Sequence, residues 1–143
     1  MTATLKHAQL TERIIGVFYE VYNELGSGFV ESVYREAMTI ALSESGPPVE
    51  REFPLSVFFR GCNVGDFRID LLVNRAVLLE LKVARALDRS HEGQILNYLK
   101  ATEIEVGLLL NFGHRPEFRR LVFSNEEKKI RANPRKSAVG SSS

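Results

Sequence analysis

Residues 66–73 and 76–83 are two runs rich in leucine and β-branched side chains, separated only by Asn74-Arg75, and this spacing commits the middle of the chain to a tight hairpin. A strand turns successive side chains to opposite faces, so Glu80 and Lys82 share one face while Leu79 and Leu81 share the other. Pairing across the turn brings Asp70 close to Glu80, with facing Cβ atoms about 5 Å apart. Two carboxylates and an ammonium therefore converge within what otherwise reads as buried strand. Ile69, Leu71 and Leu72 surround Asp70, and Val77, Leu78, Leu79 and Leu81 surround Glu80. Like charges that close repel, and a half-buried acid is costly, so the arrangement makes physical sense chiefly where a divalent cation keeps the carboxylates ionised. A surface ion pair between Glu80 and Lys82 on a solvated hairpin face fits the alternation equally well.

The elements around the hairpin follow from periodicity. Ile14, Ile15, Phe18, Val21, Tyr22 and Leu25 recur at helical spacing over 11–25, with Thr11 expected as the cap. After Gly26-Ser27-Gly28, the residues Val33, Ala37, Ile40 and Ala41 mark a second amphipathic helix, which ends before Gly46-Pro47-Pro48. Strands are expected over 49–59, 66–73 and 76–83, then a helix over 90–101 carrying Ile95, Leu96 and Leu99, then strands over 106–111 and 118–123. The order is ααβββαββ, an α/β domain over residues 1–125. The tail, 126–143, is polar and basic and is expected to stay disordered, because it lacks the apolar content that would offset the entropy of ordering it. Its Lys128, Lys129, Arg131, Arg135 and Lys136 fit a solvated terminus better than an electrostatic arm for nucleic acid.

Bulk numbers narrow the function only by exclusion. A chain of 143 residues fits one domain, so whatever chemistry exists sits in one core. Nineteen basic side chains stand against eighteen acidic ones, so a phosphate-binding surface must come from local clustering. Cys62 is the lone cysteine, and with His7, His91 and His114 it shows no zinc-ligand spacing, which points to a reducing, cytoplasmic setting. The first ten residues lack the apolar stretch of a signal peptide, and no run reaches the roughly 18 apolar residues of a membrane span.

Two further clusters bear on the hairpin. His91, Gln94 and Tyr98 fall three and four apart on the helix after it, as one polar stripe just beyond the strand of Lys82. Gly28, Glu31 and Tyr34 are spaced by three, and Glu31 sits in a first helical turn, where the helix dipole favours a carboxylate. Each cluster alone reads as an ordinary helix surface. Arg85, Arg89, Arg115, Arg119 and Arg120 flank the ends of these elements and could track a nucleic-acid backbone, although scattered surface arginines are as common.

These motifs together resemble a known family. GSGFVESVYREAM is similar to the signature of the GxxExxY proteins, a compact branch of the PD-(D/E)xK nuclease-like superfamily. RIDLLV and VLLELK resemble that family's D…ExK hairpin, HEGQILNYLKAT its H-x-x-Q-x-x-x-Y helix, and VGLLLNFG its next strand and turn. Ile69 stands where the superfamily's name places proline. The resemblance covers roughly 10–124 and implies a restriction-endonuclease-like core with a mixed sheet flanked by helices. It implies Mg²⁺ or Mn²⁺ held by Asp70 and Glu80, with Glu31 as a further ligand and Lys82 beside the attacking water. Gln94 and Tyr98 are implied to steady the lysine, the ligands or the substrate phosphate. Arg85, Arg89, His91 and Arg115 are the expected nucleic-acid contacts, and a homodimer is possible. The expected activity is metal-dependent phosphodiester hydrolysis of DNA or RNA. The alternatives are a catalytically silent nucleic-acid-binding or assembly module of the same fold, and a hydrolase of some other phosphate ester.

Overall fold

A computed structural model describes residues 6–132, and its elements run α1 (Ala8–Leu25), α2 (Glu31–Ser45), β1 (Val49–Phe59), β2 (Cys62–Val73), β3 (Val77–Lys82), α3 (Arg89–Ala101), β4 (Val106–Asn111), β5 (Glu117–Val122) and α4 (Asn125–Ala132). The five strands form one mixed sheet in the order β1-β2-β3-β4-β5. Only β3 and β4 pair in parallel, because α3 carries the chain across between them; the other neighbours are antiparallel. This is the expected restriction-endonuclease-like α/β arrangement.

Each sheet face buries its own apolar cluster. On one face Leu71, Val73, Leu79, Leu81, Leu108 and Leu110 pack against Ile14, Phe18 and Val21 of α1 and Tyr34, Met38 and Leu42 of α2. On the other face Ile69, Leu72, Leu78 and Leu109 pack against Ile95, Tyr98 and Leu99 of α3. Strands β3 and β4 are covered on both sides, which is why they read as continuous apolar runs. Gly107 lets α3 approach the sheet closely, since a Cβ there would lie 2.8 Å from Ile95 Cγ2.

Three boundaries differ from expectation. Helix α1 begins at Ala8 with His7 at its N-cap, and Thr11, expected as the cap, lies inside the first turn with its hydroxyl donating to Ala8 O at 3.0 Å. Strand β2 begins at Cys62, because Arg60 and Gly61 both take left-handed backbone angles (φ 51 and 79) and close a two-residue turn that lets β1 and β2 pair to their tips. The chain from Asn125 to Ala132 is helical where an unstructured tail was expected. Asn125 N donates to the Glu105 carboxylate at 2.7 Å, and Lys128 Nζ donates to Thr102 O (2.9 Å) and Ile104 O (2.6 Å). The rest of the expected tail, 133–143, lies outside the described residues.

Candidate active site

The sheet divides at the hairpin. β2 pairs with β3 only from Val73↔Val77 to Leu71↔Leu79, after which β2 stays with β1 while β3 continues along β4 to Lys82↔Asn111. The next facing positions are Asp70 and Glu80, and there side chains replace the backbone ladder. Asp70 N donates to Glu80 Oε2 at 3.1 Å, and Leu81 N donates to Asp70 Oδ2 at 2.8 Å. The two carboxylates thus stand in the mouth of a fork, each held by the other strand's backbone.

The divergence has a local cause. Opposite Asp70 on β1, Glu52 takes a left-handed backbone angle (φ 50), and the ladder steps from Arg51↔Leu71 to Phe53↔Ile69 without using it. Strand parity flips at this point: Val49, Leu71 and Val73 pack with the α1–α2 cluster, whereas Phe53, Leu55 and Ile69 pack with the α3 cluster. Asp70 sits at the flip and so reaches groups from both layers. Nothing in the local composition around Glu52 announces this kink.

Burial sets the electrostatics. Glu80 is 4% exposed, and desolvation, with the Asp70 charge beside it, pushes its carboxyl up to about 8. Burial also raises Asp70, with the Glu31 charge adding to it. The Leu81 amide and the Arg35 and Lys82 charges pull the other way. Lys82 Nζ donates to Gln94 Oε1 at 3.1 Å, and Gln94 Nε2 donates to the Tyr98 hydroxyl at 3.1 Å, so the polar stripe of α3 forms a relay onto the lysine. Tyr98 is itself raised, by burial first and by the Glu80 charge second. The expected set of Asp70, Glu80, Lys82, Gln94 and Tyr98 is therefore brought together in one place.

The remaining expected residues divide. Glu31 opens α2, is exposed, and is felt at Asp70 as a neighbouring charge. Among the described residues no group of three or more His, Cys, Asp or Glu side chains is gathered to hold a metal ion, so Glu31 does not join Asp70 and Glu80 in one cluster. His91 serves α3: its Nδ1 accepts from Asp88 N at 3.1 Å, while Asp88 Oδ1 accepts from the Ser90 and His91 amides. Arg85, Arg89 and Arg115 are exposed. Arg119 pairs with Glu92 (3.5 Å) and Glu117 (3.8 Å), and Arg120 donates to Lys6 O at 2.6 Å, so these two are engaged within the fold.

Two residues missed in the sequence belong to the site. Arg35 of α2 places NH1 3.8 Å from Asp70 Oδ1, and its Nε is buried without a hydrogen-bond partner. It lies four residues after Glu31, on the same helical stripe, and that spacing was the available signal. Asn111, fully buried at the end of β4, accepts from Ala84 N (2.9 Å) and Gly113 N (3.0 Å) and donates to Ala84 O (3.0 Å), fixing the chain that leaves Lys82. A polar residue closing an apolar strand was its signal. On the other side Tyr34 stacks on Phe112 with centroids 4.3 Å apart and donates its hydroxyl to Gly26 O, which ties the Gly28 loop (φ 115) to the sheet.

With this geometry in place, the sequence matches the family model of the PD-(D/E)XK nuclease superfamily over residues 8–121. The chain belongs to the PD-(D/E)XK nuclease superfamily. That superfamily is described as one of nucleases. No curated protein matches the chain. Among solved structures it is similar to one titled "Crystal structure of SSO0001", with a TM-score of 0.50 and 16% identity, covering 77% of this chain and 58% of that one. That likeness is one of fold, and this PD-(D/E)XK domain spans little more than half the length of that protein. No helix among the described residues is long and apolar enough to cross a membrane.

Proposed function

We propose that this protein is a Mg²⁺- or Mn²⁺-dependent nuclease of the GxxExxY branch that hydrolyses phosphodiester bonds. The observation that carries the reading is the fork: Asp70 and Glu80 face each other across diverging strands, and Lys82 follows on the face of Glu80. A buried and a half-buried carboxylate, both with raised affinity for protons, are a donor set that suits a hard divalent cation, because such an ion offsets both their repulsion and their desolvation. When bound, that cation supplies positive charge against the phosphate and makes a nearby water more acidic.

The chain's own groups do the remaining work. Asp70 and Glu80 would hold the cation, their carboxylates oriented by the Leu81 and Asp70 amides. Lys82, steadied by Gln94 and through it by Tyr98, places an ammonium beside the attacking water and the scissile phosphate. The water oxygen forms the new bond to phosphorus and gives up a proton to solvent, the bond to the leaving sugar oxygen breaks, and that oxygen takes up a proton from solvent. The Arg35 guanidinium, 3.8 Å from Asp70 Oδ1, offsets part of the Asp70 charge. The GxxExxY assignment is supported by the loop at Gly28, the exposed Glu31 at the helix start and the buried Tyr34 that anchors them.

The test is cleavage of labelled single- and double-stranded DNA and RNA with Mg²⁺ or Mn²⁺, for wild type and Lys82→Ala. The expected result is cleavage that stops on chelation and falls by about 100-fold or more in the variant, which keeps its fold. A silent-module reading draws on the meeting of only two carboxylates among the described residues. It predicts binding without cleavage under every condition.

A further inference from the structure

A groove of about 970 Å³ lies between the β1–β2 arm and α3, within the size range of small-ligand sites. The arm contributes Val57 and Phe67, α3 contributes Gly93, Gln94 and Tyr98, and Lys82 lies at its inner end. Three features are not explained by folding alone. Phe67 is 46% exposed, with its ring laid over Gly65, where a Cβ would come within 2.9 Å of it, and its centroid lies 6.0 Å from that of Tyr98. Gly93 stands inside a helix, where glycine costs about 1 kcal/mol relative to alanine. A Cβ built there meets nothing within 4 Å, so packing does not require the glycine and the space beside it is open. The groove is also continuous with the chemistry, since Lys82, Gln94 and Tyr98 are both its inner wall and the relay onto the catalytic lysine.

We propose that this groove receives an unpaired nucleobase flanking the scissile phosphate, which makes single-stranded nucleic acid the substrate class. This deepens the nuclease reading and rests on it. An apolar slot with an exposed aromatic ring suits the face of a base, and a stacked, paired base does not offer that face. A base seated between the arm and α3 places its own phosphate toward the ammonium of Lys82, and Asn97 and Lys100 lie along the same groove for the base edge and backbone. Gly93 keeps the slot from being filled by its own helix.

Short oligonucleotides carrying 2-aminopurine, as single-stranded DNA, single-stranded RNA and the duplex of each, test this by fluorescence in chelator, so that no cleavage is needed. Wild type should change the emission of a single strand and not of a duplex, and the strand that responds identifies DNA or RNA as the source. Phe67→Ala should weaken single-strand binding by about tenfold, in line with one lost base–aromatic stack. Gly93→Leu, which fills the slot from a position in open space, should do the same, while Phe67→Tyr should retain binding. Equal affinity of wild type, Phe67→Ala and Gly93→Leu, or equal binding of duplex and single strand, overturns the proposal. Parallel cleavage assays separate the two claims. Cleavage unaffected by both substitutions keeps the nuclease and removes the base slot, whereas Phe67-dependent binding with no cleavage under any metal keeps the slot and removes the nuclease.

Discussion

Replacing Glu80 with glutamine should stabilise the metal-free protein, by an amount that depends on pH. Glu80 titrates near 8 in the folded chain against 4.5 as an ordinary glutamate, because it is buried beside Asp70. For an acid raised on folding, the unfolded chain loses its proton first, so wild-type stability falls as pH rises from about 4.5 to about 8 and is then level. Each pH unit in that window is worth roughly 1.4 kcal/mol, which gives a penalty of about 3 kcal/mol at pH 7 and about 5 kcal/mol above pH 8. Glutamine has nearly the same shape and keeps a carbonyl oxygen for the Asp70 amide. It removes the titration and with it the penalty. The expected outcome in chelator is no difference in melting temperature near pH 4 and a gain for Glu80→Gln of about 10 °C at pH 7. Denaturant unfolding across pH should show the two stability curves separating through the same window. Parallel curves, or a variant less stable than wild type at pH 8, would refute the claim that Glu80 is a desolvated acid awaiting a cation.

Gln94→Ala should leave the fold intact and lower kcat by about tenfold with KM little changed, because it frees Lys82 Nζ from its only described side-chain hydrogen bond; melting and steady-state kinetics check both parts. Gly113→Ala should destabilise by about 3 kcal/mol, since its Cβ would lie 1.9 Å from Ala84 O, a backbone atom tied to Asn111, and chemical denaturation measures this. Gly107→Ala should cost less, about 1–2 kcal/mol by the same measurement, since the groups it meets are the side chains of Ile95 and Leu78.

Much of the fold was legible because the two sheet faces impose plain patterns. Helical spacing over Ile14–Leu25 and the doubly apolar runs of β3 and β4 follow from which layers cover them. The pairing of Asp70 with Glu80 followed from the hairpin and the stripe of Gln94 and Tyr98 from three-and-four spacing on α3, whereas their link to Lys82 was implied only by the family resemblance. What escaped was set by geometry between elements. The fork depends on the left-handed Glu52, and a polar residue in a strand gives no hint of such a backbone angle. The role of His91 as a cap partner and the reach of Arg35 to Asp70 depend on where helices sit relative to strands. The helical start of the tail depends on Lys128 and Asn125 meeting backbone and carboxylate groups about twenty residues earlier in the chain.

The central claim is that Asp70 and Glu80 form a divalent-cation site, and calorimetric titration of Mn²⁺ into wild type and Asp70→Asn tests it most directly. The account predicts saturable binding to wild type that disappears in Asp70→Asn, with both proteins folded by melting. Absence of binding to folded wild type, or equal binding by the two proteins, would contradict it.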